Sequence, residues 1–369
     1  MAPSAPGTPL VSLVMIVKDE VAFLTRCLDS VDGLADEIVL VDTGSSDRTM
    51  EIARARGARV LETPWKENFA EARNVAVEAA QGEWLVSLDA DEEFAPGDAT
   101  RLRDLLPTLD ATGVLLLLKN TDAHHVEIFP TMKVWRARPD FRFRGRIHEV
   151  VDFGEAAKAP GFFHFSDILV LHHGYDQDMV AARGKNERNL RLLELQLQER
   201  PQDAITLFYI GRVHDAEGDF KTAAEYYRRA LENDSTGSFP AIRRNLAAAY
   251  DLLGEPEKSL SVARHGVKIF PDYPDLWYLL GTAQYRLGKL DEAEVSFRKA
   301  AGLGESVRRY PSMPGTADLL PWKGIAACLI ETGRAPEALE FLEAVLRVDP
   351  ADRVALRQLE RARSGRPHS

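Results

Sequence analysis

Glu83-Trp84-Leu85-Val86-Ser87-Leu88-Asp89-Ala90-Asp91-Glu92-Glu93 joins an apolar, strand-like run to four carboxylates within five residues. Trp, Leu and Val in such a run favour a buried strand. Adjacent carboxylates repel one another and resist burial unless a cation neutralises them. Hard divalent cations such as Mg²⁺ or Mn²⁺ favour carboxylate oxygen, and Mg²⁺ typically takes one or two carboxylates together with substrate phosphates. Asp89-Ala90-Asp91 therefore reads as a metal clamp for a phosphorylated ligand, placed at the carboxyl end of a strand, where open α/β sheets bind ligands. The same three letters also fit an acid-rich solvated turn or helix start. The neighbouring sequence has to separate the two.

Upstream, Leu10 to Val17 is β-rich and almost uninterrupted, as expected of a strand covered on both faces, with Lys18-Asp19-Glu20 at its carboxyl end. Val21, Leu24, Cys27, Leu28 and Val31 then recur at helical spacing. Glu37 to Asp42 is the next strand, and Thr43-Gly44-Ser45-Ser46-Asp47 is a turn ending in helix N-cap chemistry. A helix over 51–56 stopped by Gly57, a strand over 58–62 and a helix over 68–80 complete an alternation that predicts an α/β sheet with right-handed crossovers. Asp42 ends its strand as Asp89 does, so both carboxylates are expected at one carboxyl edge, where an aspartate can accept from a ribose hydroxyl or a base N–H. Arg73 lies on the helix between them. It reads either as a pyrophosphate contact or as a surface arginine.

Downstream, a helix over 96–109 and strands over 113–118, 131–136 and 168–175 are predicted. Arg136, Arg138, Arg142, Arg144 and Arg146 all fall on even positions, which in extended chain gives one cationic face, although Pro139 argues against continuous extension. That strip is read as either a phosphate-binding surface or a solvated edge. Gly145-Arg146-Ile147-His148-Glu149 brings a histidine and a glutamate together, and His172-His173 closes the final strand. His124-His125 falls in a polar loop and is given no role.

The 369 residues leave room for about two domains at ~150 residues each. A composition 45% hydrophobic and 28% charged is that of a globular chain. A net charge of -11 argues against nucleic acid as the main partner. Cys27 and Cys328 are the only cysteines, so neither a disulfide framework nor a cysteine zinc site is expected, which suits the cytoplasm. Residues 1–9 read as a flexible leader, and no run is long enough to be a transmembrane segment.

From about Met179 the pattern is helical throughout. Gly218, Gly254, Gly288 and Gly333 are each preceded seven positions earlier by a small residue, Gly211, Ala247, Gly281 or Ala326. Ala223, Ser259, Ala293 or Ala338 follows each five positions later. This resembles the tetratricopeptide repeat, with a period of ~34 residues and helix pairs packed through the small positions. Phe208, Tyr209, Trp277, Tyr278 and Tyr285 are read as repeat core, and 302–317, containing Pro311 and Pro314, as a loop between units.

Together, Met15-Ile16-Val17-Lys18-Asp19-Glu20, Asp36 to Asp47, Ala72-Arg73-Asn74 and Leu88-Asp89-Ala90-Asp91-Glu92 resemble the family 2 glycosyltransferases of the GT-A fold. Ile147-His148-Glu149 and His172-His173-Gly174-Tyr175 look like the branch containing bacterial peptide S- and O-glycosyltransferases with helical repeats, and also lipopolysaccharide-core sugar transferases. The resemblance implies a GT-A glycosyltransferase domain over 10–177, a linker helix over 178–203 and a tetratricopeptide-repeat domain over 204–369. It implies an inverting enzyme using a nucleotide sugar, UDP foremost, and a divalent cation, Mn²⁺ or Mg²⁺. By the same resemblance Asp42, Arg73, Asp89 and Lys18 bind the nucleotide, and Asp91, Asp89 and His172 the metal. Glu149 is the general base, with Glu92 its rival, and Asp91 shares the catalytic assignment. Lys18 replaces the aromatic residue of several relatives. The acceptor is expected to be a peptide or protein docked on the repeats, the alternatives being a glycan or lipid-linked acceptor, or a repeat scaffold with a degenerate transferase domain. A homodimer is a further expectation.

Overall fold

In a computed structural model the described residues are 9–120, 128–173, 185–234, 237, 239–304, 310, 312–313 and 315–364. His124, His125, Gly174, Tyr175, Pro311, Pro314, the boundary at 177/178 and all of the leader except Pro9 lie outside them. The chain divides into two compact units, Met1–Glu199 and Arg200–Ser369.

The first unit is a mixed sheet. Strands β1 (Val11–Val17), β2 (Glu37–Asp42), β3 (Arg59–Glu62) and β4 (Trp84–Ser87) alternate with helices α1 (Leu24–Ser30), α2 (Thr49–Ala55) and α3 (Phe69–Ala79). There follow β5 (Glu92–Phe94), α4 (Asp98–Leu105), β6 (Gly113–Asn120), β7 (Ile128–Arg136), β8 (Arg142–Arg144), β9 (Val150–Asp152), β10 (Phe163–His172) and α5 (Lys185–Glu199). The eight-stranded order is β3-β2-β1-β4-β7-β6-β10-β5, with β8 and β9 forming a separate ribbon. The pairs β1–β2, β2–β3 and β1–β4 are parallel, so Lys18, Asp42 and Asp89 all follow or end strands pointing the same way.

Residues of β1 explain why the strand carries an unbroken apolar run. Leu13, Met15 and Val17 pack into a core with Leu24, Leu28 and Leu102, whereas Val14 packs into a second core with Val39, Val41, Phe141 and Phe143. Both faces are therefore covered, as a parallel strand between two helical layers requires. Helix α3 starts at an N-cap, with Asn68 accepting from the backbone N–H of Glu71.

Several elements differ from the sequence expectation: β7 begins at Ile128 rather than 131, and β8 and β9 were not expected. The predicted helix over 96–109 ends at Leu105 and closes with a short 3-10 turn. The last strand begins at Phe163 rather than 168, because it runs parallel to β6 from Gly113 onward, with an irregularity between Phe165 and Leu169. The acidic turn ends at Glu92, and Glu92 and Glu93 do not continue it as loop or helix. They form the edge strand β5, antiparallel to β10, with Glu92 opposite His172.

The second unit consists of α6 (Ala204–Ala216), α7 (Phe220–Asn233), α8 (Pro240–Leu252), α9 (Pro256–Ile269), α10 (Pro274–Arg286), α11 (Leu290–Leu303), α12 (Leu319–Glu331), α13 (Ala335–Val348) and α14 (Arg353–Ser364). Gly218, Gly254, Gly288 and Gly333 adopt φ of +79°, +71°, +72° and +79° in the turns between paired helices, a left-handed conformation in which glycine carries no steric cost. The small residues seven positions earlier admit a large neighbour. A Cβ on Gly211 would lie 2.7 Å from the Tyr227 ring, and one on Gly281 2.7 Å from the Phe297 ring. Part of the loop after α11 is docked: Tyr310 is buried beside Tyr273 and donates to Asp272 at 2.9 Å, and Thr316 donates to Asp275 at 2.5 Å. No helix among the described residues is long and apolar enough to cross a membrane.

Candidate active site

Strand β4 delivers Asp89 and Asp91 to the carboxyl edge, and helix α3 delivers Arg73 to meet them. The Arg73 guanidinium donates to Asp89 through Nη2, to Glu149 through Nε and to Ser87 Oγ through Nη1, the last at 3.3 Å. One arginine thus ties the end of β4 to the loop between β8 and β9. Burial disfavours its charge, but Asp89 and Glu149 hold the guanidinium protonated well above the ordinary range.

Beneath this pair lies Glu92, 2% exposed, with both carboxylate oxygens 2.7 Å from Lys133 Nζ. Lys133 is also 4.0 Å from Asp89 Oδ2. Glu92 Oε2 accepts from the Asp89 N–H at 2.9 Å, and the Glu92 N–H donates to the Asp89 carbonyl at 3.0 Å, so the four-residue acidic turn is closed on itself. Burial would raise the Asp89 carboxyl. Arg73 and then Lys133 reverse this and hold it well below the usual carboxylate range. For Glu92 burial prevails over Lys133, and its pKa is raised. Lys133 stays charged because Glu92 and Asp89 overcome its burial.

The third group faces β10. His172 Nε2 lies 3.4 Å from Asp91 Oδ2, and its Nδ1 is 3.0 Å from Asn120 Oδ1, an oxygen that can only accept. An Nδ1–H that donates to Asn120 leaves Nε2 facing Asp91, as a donor to that carboxylate when the ring is protonated and as a lone pair when it is neutral. Burial lowers the His172 pKa, but the Asp91 hydrogen bond and charge, with Glu92 and Asp89, leave it above the usual histidine value. Beside it, Glu93 accepts from Arg26 at 2.7 Å and lies 2.9 Å from His173 Nε2.

Asp42 ends β2 and is 3% exposed. Its Oδ2 accepts from Gly44 N and Ser45 N at 2.9 and 3.0 Å, while its Oδ1 is buried with no hydrogen-bond partner. Lys18, at the end of the intervening strand β1, is exposed. Asp42 and Asp89 end strands two positions apart in the sheet, which is ~10 Å at the usual strand spacing.

Of the residues singled out in the sequence, Arg73, Asp89 and Glu149 are in direct contact, as are Asp91 and His172. The arginine strip does not form one free cationic face. Arg136, Arg138, Arg142, Arg144 and Arg146 pair with Glu83, Asp140, Glu78, Asp152 and Glu199 respectively. Lys133, Asn120, Ser87 and Gln196 were missed. A lysine inside the apolar run of β7 and an asparagine ending the apolar run of β6 were the available signals.

Among the described residues no three His, Cys, Asp or Glu side chains converge as a metal cage. The Asp91–His172 pair nevertheless offers one carboxylate oxygen and, in the neutral ring, one imidazole nitrogen. Around it four carboxylates, Asp89, Asp91, Glu92 and Glu149, meet two permanent cations, Arg73 and Lys133. That donor set fits a hard cation completing its sphere from diphosphate oxygens.

Fold and site define an α/β domain with a cluster of charged side chains at the carboxyl edge of its sheet, followed by a helical repeat domain. Glycosyl transferase family 2 matches residues 12–165, and tetratricopeptide repeat matches 187–238, 208–274 and 253–314. The chain carries a family 2 glycosyltransferase domain with tetratricopeptide repeats behind it. A TPR repeat-containing protein of Synechococcus elongatus is 37% identical over 258 residues, covering 69% of this chain and 64% of that protein. The prophage-derived glycosyltransferase SunS of Bacillus subtilis is 25% identical over 232 residues, covering 61% of this chain and 54% of that one. The chain thus spans less than two thirds of either relative. The crystal structure of YrrB, a TPR protein with an unusual peptide-binding site, matches with a TM-score of 0.41 and 17% identity, covering 50% of this chain and 88% of that chain.

Proposed function

We propose that the first unit transfers a sugar from a nucleoside diphosphate sugar, UDP foremost, to a nucleophile of a peptide or protein, inverting the anomeric centre. The observation that carries this is the orphaned Oδ1 of Asp42. A buried acceptor without a donor costs ~1–3 kcal/mol, and a ribose hydroxyl or a uracil N–H would relieve it. The ~10 Å from Asp42 to Asp89 is close to the reach of a nucleoside diphosphate, and Lys18 stands between them, able to attract the phosphates.

In this reading the acceptor oxygen or sulfur attacks the anomeric carbon, the bond from that carbon to the diphosphate breaks, and the acceptor proton passes to Glu149. Arg73 orients the Glu149 carboxylate through Nε and steadies Asp89 through Nη2. Asp91 and His172 are the residues that would hold a divalent cation, Mn²⁺ or Mg²⁺, whose chemistry is to neutralise charge on the leaving diphosphate. Glu92 is unsuited to act as the base, since both its oxygens are engaged by Lys133 in a buried position. The repeats present an extended surface, and tethering an acceptor peptide there raises its effective concentration at the pocket.

The test is calorimetric titration of the whole protein with UDP and Mn²⁺, comparing wild type with Asp42→Ala. Wild type should bind, and the variant ~10-fold or more weakly, the loss of a hydrogen bond to a charged group. Equal affinities would remove Asp42 from the site, and no binding by either would remove the reading.

A further inference from the structure

We propose that Gln196 and Glu199, on helix α5 beyond the glycosyltransferase match and inside the first repeat match, are positioning residues that fix the orientation of the base Glu149 through Arg146. This rests on the transferase reading above and adds to it a part of the chain the sequence placed in a linker.

The loop between β8 and β9 runs from Gly145 to Glu149. The backbone N–H of Arg146 donates to Gln196 Oε1 at 2.5 Å, and Gln196 is only 9% exposed. The Arg146 side chain donates through Nε to Glu199 Oε1 at 2.8 Å and through Nη1 to the Glu67 carbonyl at 3.1 Å. Its carbonyl accepts from the N–H of Phe69, the first residue of α3, at 2.8 Å. One turn further along α3 is Arg73, whose Nε meets Glu149.

A closed circuit results: α5 grips Arg146, Arg146 grips the start of α3, and α3 returns through Arg73 to Glu149. Helix α5 is itself fastened to the segment before α3 by Arg191 and Glu67 at 2.7 Å. The backbone of the loop fits a segment held at both ends. Gly145 has φ of +106° and His148 of +51°, the latter a conformation uncommon for a residue with a side chain. A Cβ on Gly145 would lie 3.3 Å from Gln196 Oε1, so the helix approaches as near as a bare backbone permits. Glu149 has no rigid element of its own. Between two short strands, its orientation is set by Arg73 on one side and by the Arg146 clamp on the other. Displacing a reacting group by ~1 Å can cost ~10²-fold in rate.

The experiment uses the full chain carrying Gln196→Leu, which removes the acceptor for Arg146, and Gln196→Glu, which restores one. UDP affinity in Mn²⁺ is measured by calorimetry, and turnover as nucleotide release from UDP-glucose, UDP-N-acetylglucosamine, GDP-glucose and TDP-glucose. Gln196→Leu should lose ~10- to 100-fold in turnover while UDP affinity stays within about twofold, and Gln196→Glu should recover most of the rate. Should Gln196→Leu fail to fold, Glu199→Ala serves, with a smaller loss of turnover at equal affinity. Unchanged turnover in the folded variant overturns the positioning role. So does a loss that Gln196→Glu shares in full, or one matched by lost UDP affinity. Wild type that neither binds UDP nor turns over any donor overturns the transferase reading, and the positioning role with it. It is distinguished by failing before any variant is made.

Discussion

The two units differ in how their buried polar groups are distributed. In the repeats most are paired one by one between neighbouring helices: Ser259 donates to the Ala247 carbonyl at 2.9 Å, Ser296 to Gln284 at 2.6 Å, and Tyr227 to Asp215 at 3.1 Å, while Arg243 Nη1 and Gln358 Oε1 are buried without a hydrogen-bond partner. These bonds are scattered along the superhelix and hold helix to helix. In the sheet domain Asp42, Ser87, Glu92 and Asn120 are all buried at or near strand ends, Arg73 and Lys133 reach the same edge, and one oxygen there, on Asp42, is unmatched. Such convergence is what the proposed ligand site requires, whereas bonds dispersed along the repeats serve the packing of helix on helix.

The contrast predicts that substitutions of the edge residues Asp91 and Glu149 change chemistry and spare the fold, that substitutions in the repeats do the reverse, and that the buried Glu92 is an edge residue that carries stability as well. The largest effect is expected for Asp91→Asn, which should lower turnover ~10²- to 10³-fold. Its thermal midpoint should be nearly that of wild type, the side chain being 26% exposed. Glu149→Gln should lose ~10²-fold or more in turnover with UDP affinity nearly unchanged. Glu92→Gln sharpens the comparison, because it takes from the buried Lys133 the nearer of its two counter-charges, leaving Asp89 at 4.0 Å, and should cost ~3–5 kcal/mol of stability in a denaturant titration. A Glu92→Gln protein of full stability but no turnover would instead return Glu92 to the role of base. Gly281→Ala, forced against Phe297, should cost ~1–3 kcal/mol without altering UDP affinity. Smallest of all is Arg144→Ala, an exposed partner of Asp152, for which UDP affinity should stay within about twofold, as surface ion pairs contribute little.

Much of this contrast was legible in the sequence. The apolar runs marked β1 and β4 most clearly, because those strands are covered on both faces and leave few polar positions to blur the pattern. The repeat turns were legible because each needs a glycine at positive φ. The Asp89 turn stood out because charge ended an apolar strand. What could not be read was anything set by pairing across the sheet. Strand β5 is only three residues long, and its register against β10, which puts Glu92 opposite His172, is invisible in one dimension. Lys133 lies 41 residues from Glu92 and Gln196 lies 50 from Arg146. Such partners are chosen by tertiary packing and leave no local spacing to recognise.

The central claim is that this edge turns over a nucleotide sugar. It is tested most directly by incubating the whole protein with UDP-, GDP- and TDP-sugars and Mn²⁺ and following nucleotide release, in wild type, in wild type with chelator and in Asp91→Asn. The account predicts release from at least one donor by wild type, abolished by chelator and by Asp91→Asn alike. Release that persists undiminished in chelator, with metal removal confirmed, and in Asp91→Asn would contradict it.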